Sequence, residues 1–417
     1  MSIAIIGAGI TGLTLANLLK NQKVVVFEEN EIGGKIRTKH YTYRDKSYFI
    51  ELGPDSLVFD SEKLKLIEEY FPKIFENKNF VRKNRIHIYG FGKIYPVPLN
   101  ALEFLLSGFL SPLQKINFIL NFFFKRKIDY RNYLTLYDYA VNRFGEDFSK
   151  RIIFPLFETV FGIDSKRLVL KFVYPFLKRF EERIYYEPFP MFNTSTGLSS
   201  IISRLSEGIK ILKEKVEFIY PDGSEFIINH KYRFKKIVFT GESKNIIALL
   251  RKMVDYDENI EIACKELSKL NYRSSFIHIF ILRHEIPLKS NGIIFVDGDF
   301  INSITFFSKK WYDGADIEIL RVFSKNDSID GVFRELSDLF KKINYDLESN
   351  IIEHFSISWH SSLIDYDSNY MEFLISSKDY LQKLERKGIY IFGSFLGGSG
   401  IVDRMIFVLK NFQKILV

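Results

Sequence analysis

The first thirty residues constrain this chain more than any other stretch. Residues 2–6, SIAII, form a short apolar run ending in glycine, and Gly7-Ala8-Gly9-Ile10-Thr11-Gly12 follows. TGLTLANLLK then repeats its apolar residues at helical spacing, and KVVVFEE reads as a buried strand. In a strand–turn–helix of this kind each glycine has a separate task. Gly7 permits the tight turn, Gly9 lets a pyrophosphate approach the backbone, and Gly12 lets helix pack closely on strand. Free amides at the start of the helix favour a dianionic group. The spacing alone is weak evidence. With a second strand and an acid following it, a dinucleotide site is expected rather than a plain glycine turn.

That acid is Glu28, at the end of the second strand. A carboxylate there accepts hydrogen bonds from ribose hydroxyls and repels a 2′-phosphate, which disfavours NADP. Glu29 is the alternative, but strand alternation aims only one of the two well. Directly afterwards comes Ile32-Gly33-Gly34-Lys35-Ile36-Arg37-Thr38. A glycine pair at this point is not part of an ordinary NAD site, and Lys35 and Arg37 can neutralise phosphate charge. The bland alternative is a surface turn with two solvated cations. IELGPDSL, residues 50–57, places Glu51, Gly53 and Asp55 in a strand and turn. Near the C-terminus, YIFGSFLGGSGIVDRM ends a strand at Gly393 and opens a helix near Ile401. Helix amides there suit a second anchoring point for a long cofactor such as FAD.

Length and composition narrow the setting. At 417 residues the chain is expected to form more than one domain, and its 47% hydrophobic and 26% charged residues fit a folded globular protein. The 42 phenylalanines imply a large aromatic core or an apolar cavity. A net charge of +8 can attract an anionic membrane or small acid, but the cations are scattered, so a solvated basic surface is expected and no nucleic-acid partner. The single cysteine, Cys264, excludes an internal disulfide and a cysteine-based metal site, and EIACKELSKL reads as a helix with a packed thiol. The seven histidines show no metal-ligand spacing. The first strand starts at Ser2, so no signal peptide is expected. No uncharged run reaches the roughly 18–20 residues of a membrane span. A cytoplasmic location follows as the default.

Along the chain, residues 59–80 look helical, 85–98 look like a hairpin, and 99–185 are helix-like throughout. Strands return at 216–240, 273–282 and 290–323, a helix at 334–349, and a final strand and helix close the chain. Residues 99–127 join an apolar run to the basic end Lys125-Arg126-Lys127, which can lie in a membrane interface, roof a cavity or pack as ordinary helix.

Taken together these segments resemble the protoporphyrinogen and coproporphyrinogen oxidases of the amine-oxidase flavoprotein superfamily. GAGITGL, GGKIRT and ELGPDSL match that family's N-terminal region, and PLNALEFLLSGFLSPLQK and VNRFGEDFSKRIIFPL its helical insert. NTSTGLSSIISRL, GIIFVDGDFINSITFFSKKW and GSFLGGSGIVDRM match later segments. The resemblance implies an α/β fold. A discontinuous Rossmann-like FAD-binding domain would comprise residues 1–58, 186–250 and 360–417. An inserted α+β substrate domain would comprise 59–98 and 251–359, and a helical insert 99–185. It implies non-covalent FAD held by Gly7, Gly9, Ile10, Thr11, Gly12, Glu28, Gly33, Gly34, Lys35, Arg37, Gly53, Pro54, Asp55, Ser56, Val216, Trp359, Gly393 and Ile401. It also implies that Arg85 meets a substrate propionate and that Thr159 stands at the closest substrate approach.

The activity implied is oxidation of a porphyrinogen to the porphyrin in heme biosynthesis, with hydride passing to flavin and O₂ as acceptor. No residue stands out as a catalytic acid or base. The chain departs from the family at ETVFGIDSKRL, where a glycine-containing run like SGIYAGD is usual, and near Ile364, where a proline is common. The alternatives are therefore a related amine oxidase or polyene desaturase, or a non-catalytic FAD-binding protein. Peripheral contact with the inner face of the membrane stays open beside a cytoplasmic location.

Overall fold

The apolar runs flanking the first glycine turn become two parallel strands, Ser2–Ile6 and Lys23–Phe27, in register from Ser2 opposite Lys23 to Ile6 opposite Phe27. These and all later details come from a computed structural model that describes residues 2–82, 85–98, 100–124, 131, 134–183 and 190–417. The basic run Lys125-Arg126-Lys127 lies outside the described residues. The chain forms two units. One comprises Met1–Val81, Phe189–Leu270 and Glu372–Val417, and the other Arg82–Pro188 and Asn271–Met371.

In the first unit the two opening strands sit inside a five-stranded parallel sheet. Its order is Ile211–Leu212, Lys23–Phe27, Ser2–Ile6, Lys236–Phe239, Ile389–Ile391. Three distant stretches of sequence thus build one parallel sheet, and its buried strands read as continuous apolar runs. Helix Ile10–Leu18 is buried from Ile10 to Ala16, and its Leu13 and Leu15 share a core with Ile3, Ile5, Val26 and Val238. Leu64 and Ile67 of helix Ser61–Tyr70, and Val402 and Met405 of helix Ile401–Asn411, close that core.

Residues 59–81 therefore cluster with the nucleotide-type sheet, where the sequence reading set them in the substrate domain. The helix ends at Tyr70, and Lys78–Phe80 is a strand paired with Met191–Thr194 instead of more helix. Residues 251–270 also belong to this unit, and Cys264 is buried in helix Glu258–Ser268.

The second unit is built on a seven-stranded sheet. Its order is Ile351–Ile364, Tyr272–Leu282, Glu318–Ser324, Ile301–Phe306, Ser290–Phe295, Arg85–Gly90, Lys93–Pro96. Phe280, Leu282, Leu320 and Val322 face helix Ile329–Lys341 and pack on its Val332, Leu336, Leu339 and Phe340. Strand alternation puts Ile279 and Arg321, which are register partners, on the other face. The helical stretch expected at 99–185 is present in the same unit as Ala101–Leu106, Pro112–Phe124, Leu136–Phe144, Phe154–Phe161 and Leu170–Arg183. Much of the phenylalanine goes to core here. Phe118 stacks on Phe148 with centroids 4.0 Å apart, and Phe122 and Phe144 are buried around the Arg143 guanidinium.

Candidate functional site

At the end of strand Ser2–Ile6 the chain turns through Gly7, whose φ of +108° lies where side chains are strained. A Cβ on Gly12 would stand 2.0 Å from the Gly7 carbonyl oxygen, so only glycine lets the helix sit this close to the turn. Gly9 differs from both. Its backbone is extended, with φ −77° and ψ −177°, and a Cβ there would meet nothing within 4 Å. Nothing in the protein requires glycine at position 9, so its bare backbone suits a group approaching from outside. Gly9 also caps helix Ile10–Leu18, which has no side-chain cap and no acid in its first turn. Its first amides are available to an anion.

The second glycine motif lies directly beside the first. Gly33 donates its amide to the Ala8 carbonyl at 2.8 Å, and Gly9 and Gly33 form a parallel bridge. The Cβ direction of Gly34 points to the Gly9 Cα at 3.6 Å. Glu28 accepts from the Ala8 amide at 2.7 Å and the Asn30 amide at 2.9 Å, and so ties the acid at the strand end to the turn. Each carboxylate oxygen keeps a further lone pair for a ligand hydroxyl. Gly7, Gly9, Ile10, Thr11, Gly12, Glu28, Gly33 and Gly34 thus converge beyond the C-terminal ends of the interior strands Ser2–Ile6 and Lys23–Phe27.

The two cations of this region are engaged. Lys35 pairs with Glu242 at 2.6 Å, and burial pulls its ammonium below the usual lysine value against the raising effect of Glu242. Arg37 donates Nε to the Gly34 carbonyl at 2.9 Å and faces Glu31 at 3.2 Å. The ELGPDSL turn joins the same cluster, because a Cβ on Gly53 would stand 2.0 Å from the Lys35 carbonyl and Leu52 donates to the Arg37 carbonyl. Pro54, Asp55 and Ser56 are half-buried there, with the Ser56 hydroxyl donating to Asp55 at 2.8 Å. Gly393 follows strand Ile389–Ile391, and a Cβ on it would meet the Phe395 ring at 2.2 Å. Ile401, buried, begins the closing helix in the same core as Ile10. Val216 is buried in this unit ahead of strand Ile219–Asp222.

The remaining expected residues lie in the second unit. Trp359 is half-buried on strand Ile351–Ile364, opposite Ser275. Thr159 is half-buried on helix Phe154–Phe161, next to Glu158, which accepts from the Ser165 amide at 2.8 Å and hydroxyl at 2.7 Å. Arg85 opens its strand as expected, but Glu103 grips it with two hydrogen bonds of 2.8 and 3.0 Å. A carboxylate already takes the bidentate geometry that a propionate would take.

Sequence reading missed Thr240 and gave Glu51 as a polar group of the IELGPDSL segment without its partners. Thr240 donates from its hydroxyl to the Ile6 and Gly7 carbonyls at 2.9 and 3.0 Å, and fills the space that both Gly7 and Gly12 leave. Glu51 is fully buried and accepts from Thr38 Oγ1, Asn193 Nδ2 and the Leu198 amide at 2.9, 2.9 and 2.6 Å. It ties the ELGPDSL strand to the later strand and helix that flank it. Its signal in the sequence is an acid directly after the apolar run Tyr48-Phe49-Ile50, at the end of strand Lys46–Glu51. Among the described residues no group of His, Cys, Asp or Glu could hold a metal ion.

Comparisons with known proteins agree with this geometry. Residues 5–71 match the family model of the NAD(P)-binding Rossmann-like domain. Coproporphyrinogen III oxidase of Staphylococcus aureus (strain NCTC 8325 / PS 47) is 30% identical over 193 residues, 43% of this chain and 41% of that protein. The aligned part is thus about two fifths of that relative's length. Among solved structures, a protein provisionally named protoporphyrinogen oxidase from Exiguobacterium sp. 255-15 matches with a TM-score of 0.81 and 19% identity, over 99% of this chain and 98% of that one. Reduced UDP-galactopyranose mutase matches with a TM-score of 0.76 and 14% identity, over 100% and 95%. Residues 5–71 thus match a Rossmann-like domain model, the chain shares its fold with these solved structures, and part of it is similar to coproporphyrinogen III oxidase.

Proposed function

We propose that the chain is an FAD-dependent oxidase that converts a porphyrinogen to the porphyrin with O₂ as acceptor, a reaction of heme biosynthesis. The observation that carries this reading is the open space at Gly9 beside Glu28, joined to the similarity to coproporphyrinogen III oxidase. Bound FAD would supply two-electron redox chemistry, and the protein supplies position and electrostatics. The amides of Ile10, Thr11 and Gly12 would face the pyrophosphate, Glu28 would take the ribose hydroxyls, and Lys35 and Arg37 would offset phosphate charge. Gly33, Gly34, Gly53–Ser56, Val216, Gly393 and Ile401 would line the rest of the cofactor. Arg85 would exchange its Glu103 partner for a substrate propionate, and Thr159 would border the macrocycle.

The domain roles follow the same reading, with the parallel-sheet unit holding the cofactor and the antiparallel-rich unit, helices included, shaping the substrate site. The test is to purify the chain, release its cofactor with acid, and identify it. The loaded protein is then offered coproporphyrinogen, protoporphyrinogen, amines and phytoene in air. Porphyrin fluorescence is expected from a porphyrinogen alone. Amine or phytoene turnover would favour the rival oxidases, and a yellow protein inert to all four would favour a non-catalytic FAD binder.

A further inference from the structure

One face of the second unit's sheet carries a chain of hydrogen bonds that the proposed reaction does not use. His278 of strand Tyr272–Leu282 lies opposite Ser356 of the edge strand Ile351–Ile364, and Phe280 lies opposite His354. His278 Nδ1 and the Ser356 hydroxyl oxygen are 2.8 Å apart, and His278 Nε2 is 3.2 Å from the Ser324 hydroxyl oxygen. His354 Nε2 reaches the Ser356 oxygen at 3.4 Å. His278 is only 1% exposed, whereas Ser356 is open to solvent. Strand alternation places His278 and Ser356 on the face that packs on helix Ile329–Lys341, and Trp359 on the other.

The direction of each bond follows from the end of the chain. The Ser324 hydroxyl donates to the Asn326 carbonyl at 2.5 Å, so its oxygen accepts from His278 Nε2–H. A neutral imidazole protonated at Nε2 keeps a lone pair on Nδ1, and that lone pair takes the Ser356 proton. His354 then donates its Nε2–H to the Ser356 oxygen. Burial and His354 hold His278 below the usual histidine value, against the raising effect of the Asn326 carbonyl and Asp327, so at neutral pH it is the free base. A second serine–histidine pair of the same sheet is arranged differently. Ser290 is fully buried and donates to the Gly292 carbonyl at 2.7 Å, so its oxygen accepts from His87 Nδ1–H at 2.9 Å. Ser290 is therefore a fixed link, whereas Ser356 is exposed, points its proton at a base, and has that base oriented by a third group. This is the arrangement of an activated nucleophile. We propose that Ser356 is a nucleophile for acyl groups of activated esters or thioesters, with His278 as its general base and Ser324 holding the required tautomer. The Ser356 oxygen bonds the carbonyl carbon and its proton passes to His278 Nδ1. The bond from that carbon to the leaving oxygen or sulfur breaks, and the leaving group departs with the electron pair.

Reaction of the full chain with 4-nitrophenyl acetate at neutral pH tests this. Nitrophenolate release gives the rate, and fragment mass spectrometry locates each acetyl group. Ser356 is expected to be acetylated at least about tenfold faster than Ser358, which is exposed two residues further along the same strand and has no histidine beside it. Ser356→Ala is expected to remove the fast release and keep the melting temperature near wild type, since the side chain is at the surface. His278→Gln is expected to slow acetylation of Ser356 about a hundredfold, the lower end of a general base's contribution. His278 is buried, so Ser324→Ala is made beside it. That variant keeps the base and removes the group that orients it, and is expected to slow Ser356 at an unchanged melting temperature and an unchanged Ser358 rate. Absence of an acetyl group on Ser356, or one gained no faster than on Ser358, overturns the proposal. So does an unchanged Ser356 rate in folded His278→Gln or, where that variant does not fold, in Ser324→Ala. The outcome is independent of porphyrinogen turnover.

Discussion

Replacing Gly9 by alanine should leave the fold intact and damage the ligand site, whereas the same change at Gly12 should damage the fold. The backbone of Gly9 (φ −77°, ψ −177°) is one that any residue adopts, and its Cβ would meet nothing within 4 Å. Alanine in such a place reduces the freedom of the unfolded chain, so Gly9→Ala apoprotein should be as stable as wild type or more stable by about 0.4–1 kcal/mol. At Gly12 the new Cβ would stand 2.0 Å from the Gly7 carbonyl oxygen and 2.9 Å from Thr240 Oγ1, and the first of these is backbone held in the turn. Overpacking of this kind costs about 1–3 kcal/mol or more. For FAD the order reverses. A methyl at Gly9 keeps the pyrophosphate away from the amides behind it, and one lost charge-assisted hydrogen bond costs about 1.5–3 kcal/mol, roughly ten- to a hundredfold in Kd. Urea denaturation of the apoproteins and flavin fluorescence titration measure the two effects separately. Wild-type FAD affinity in Gly9→Ala would refute the reasoning, and so would a large loss of apoprotein stability in that variant.

Three further outcomes follow. Glu28→Arg should purify with little FAD, because the ribose acceptor is replaced by a cation; full cofactor occupancy after gel filtration would remove Glu28 from the ribose contact. Arg85→Ala should raise KM for a carboxylated porphyrinogen by roughly ten- to a hundredfold, from about 1.5–3 kcal/mol for the lost bond. Its melting temperature should stay near wild type, since the half-exposed Arg85–Glu103 pair contributes at most about 1 kcal/mol to stability. Glu318 is fully buried, neither carboxylate oxygen has a hydrogen-bond partner, and burial pushes its pKa up to about 8 although Lys309 lies 3.7 Å away. A carboxyl raised in the folded state stays protonated there while the unfolded chain ionises. Stability should therefore fall as pH rises from about 5 to 8, by at most about 1.4 kcal/mol per pH unit. Urea midpoints across that range should show this slope in wild type and lose it in Glu318→Gln.

The parts of the site legible in sequence are those whose geometry is local. Gly7 and Gly12 are required by a single turn, so residue type and spacing announce them, and the same holds for the capping of helix Ile401–Asn411 by Gly400. Glu51, Asn193 and Leu198 meet only because strands far apart in sequence pair, and no local pattern reports that. Glu242 likewise reaches Lys35 across the sheet. Arg85 was read correctly as opening a strand, but its partner sits on a following helix whose placement depends on tertiary packing. Residues 59–81 look like any amphipathic stretch; it is Leu64, Ile67 and Phe75 entering the first core that decides their unit. Helix Pro112–Phe124 had the opposite difficulty, since periodicity shows apolar residues without showing that Leu113, Ile116 and Leu120 stay exposed.

The central claim is that this chain oxidises a porphyrinogen with bound FAD. It is tested most directly by mixing the FAD-loaded protein with coproporphyrinogen or protoporphyrinogen without oxygen, following the flavin absorbance, and then admitting air. The account predicts that one of the two bleaches the flavin on anaerobic mixing, that air restores the yellow form, and that porphyrin fluorescence builds up over the further turnovers in air, because one flavin takes two electrons and a porphyrinogen must lose six. Flavin that stays oxidised in the presence of both porphyrinogens, in protein shown to be loaded and folded, would contradict it.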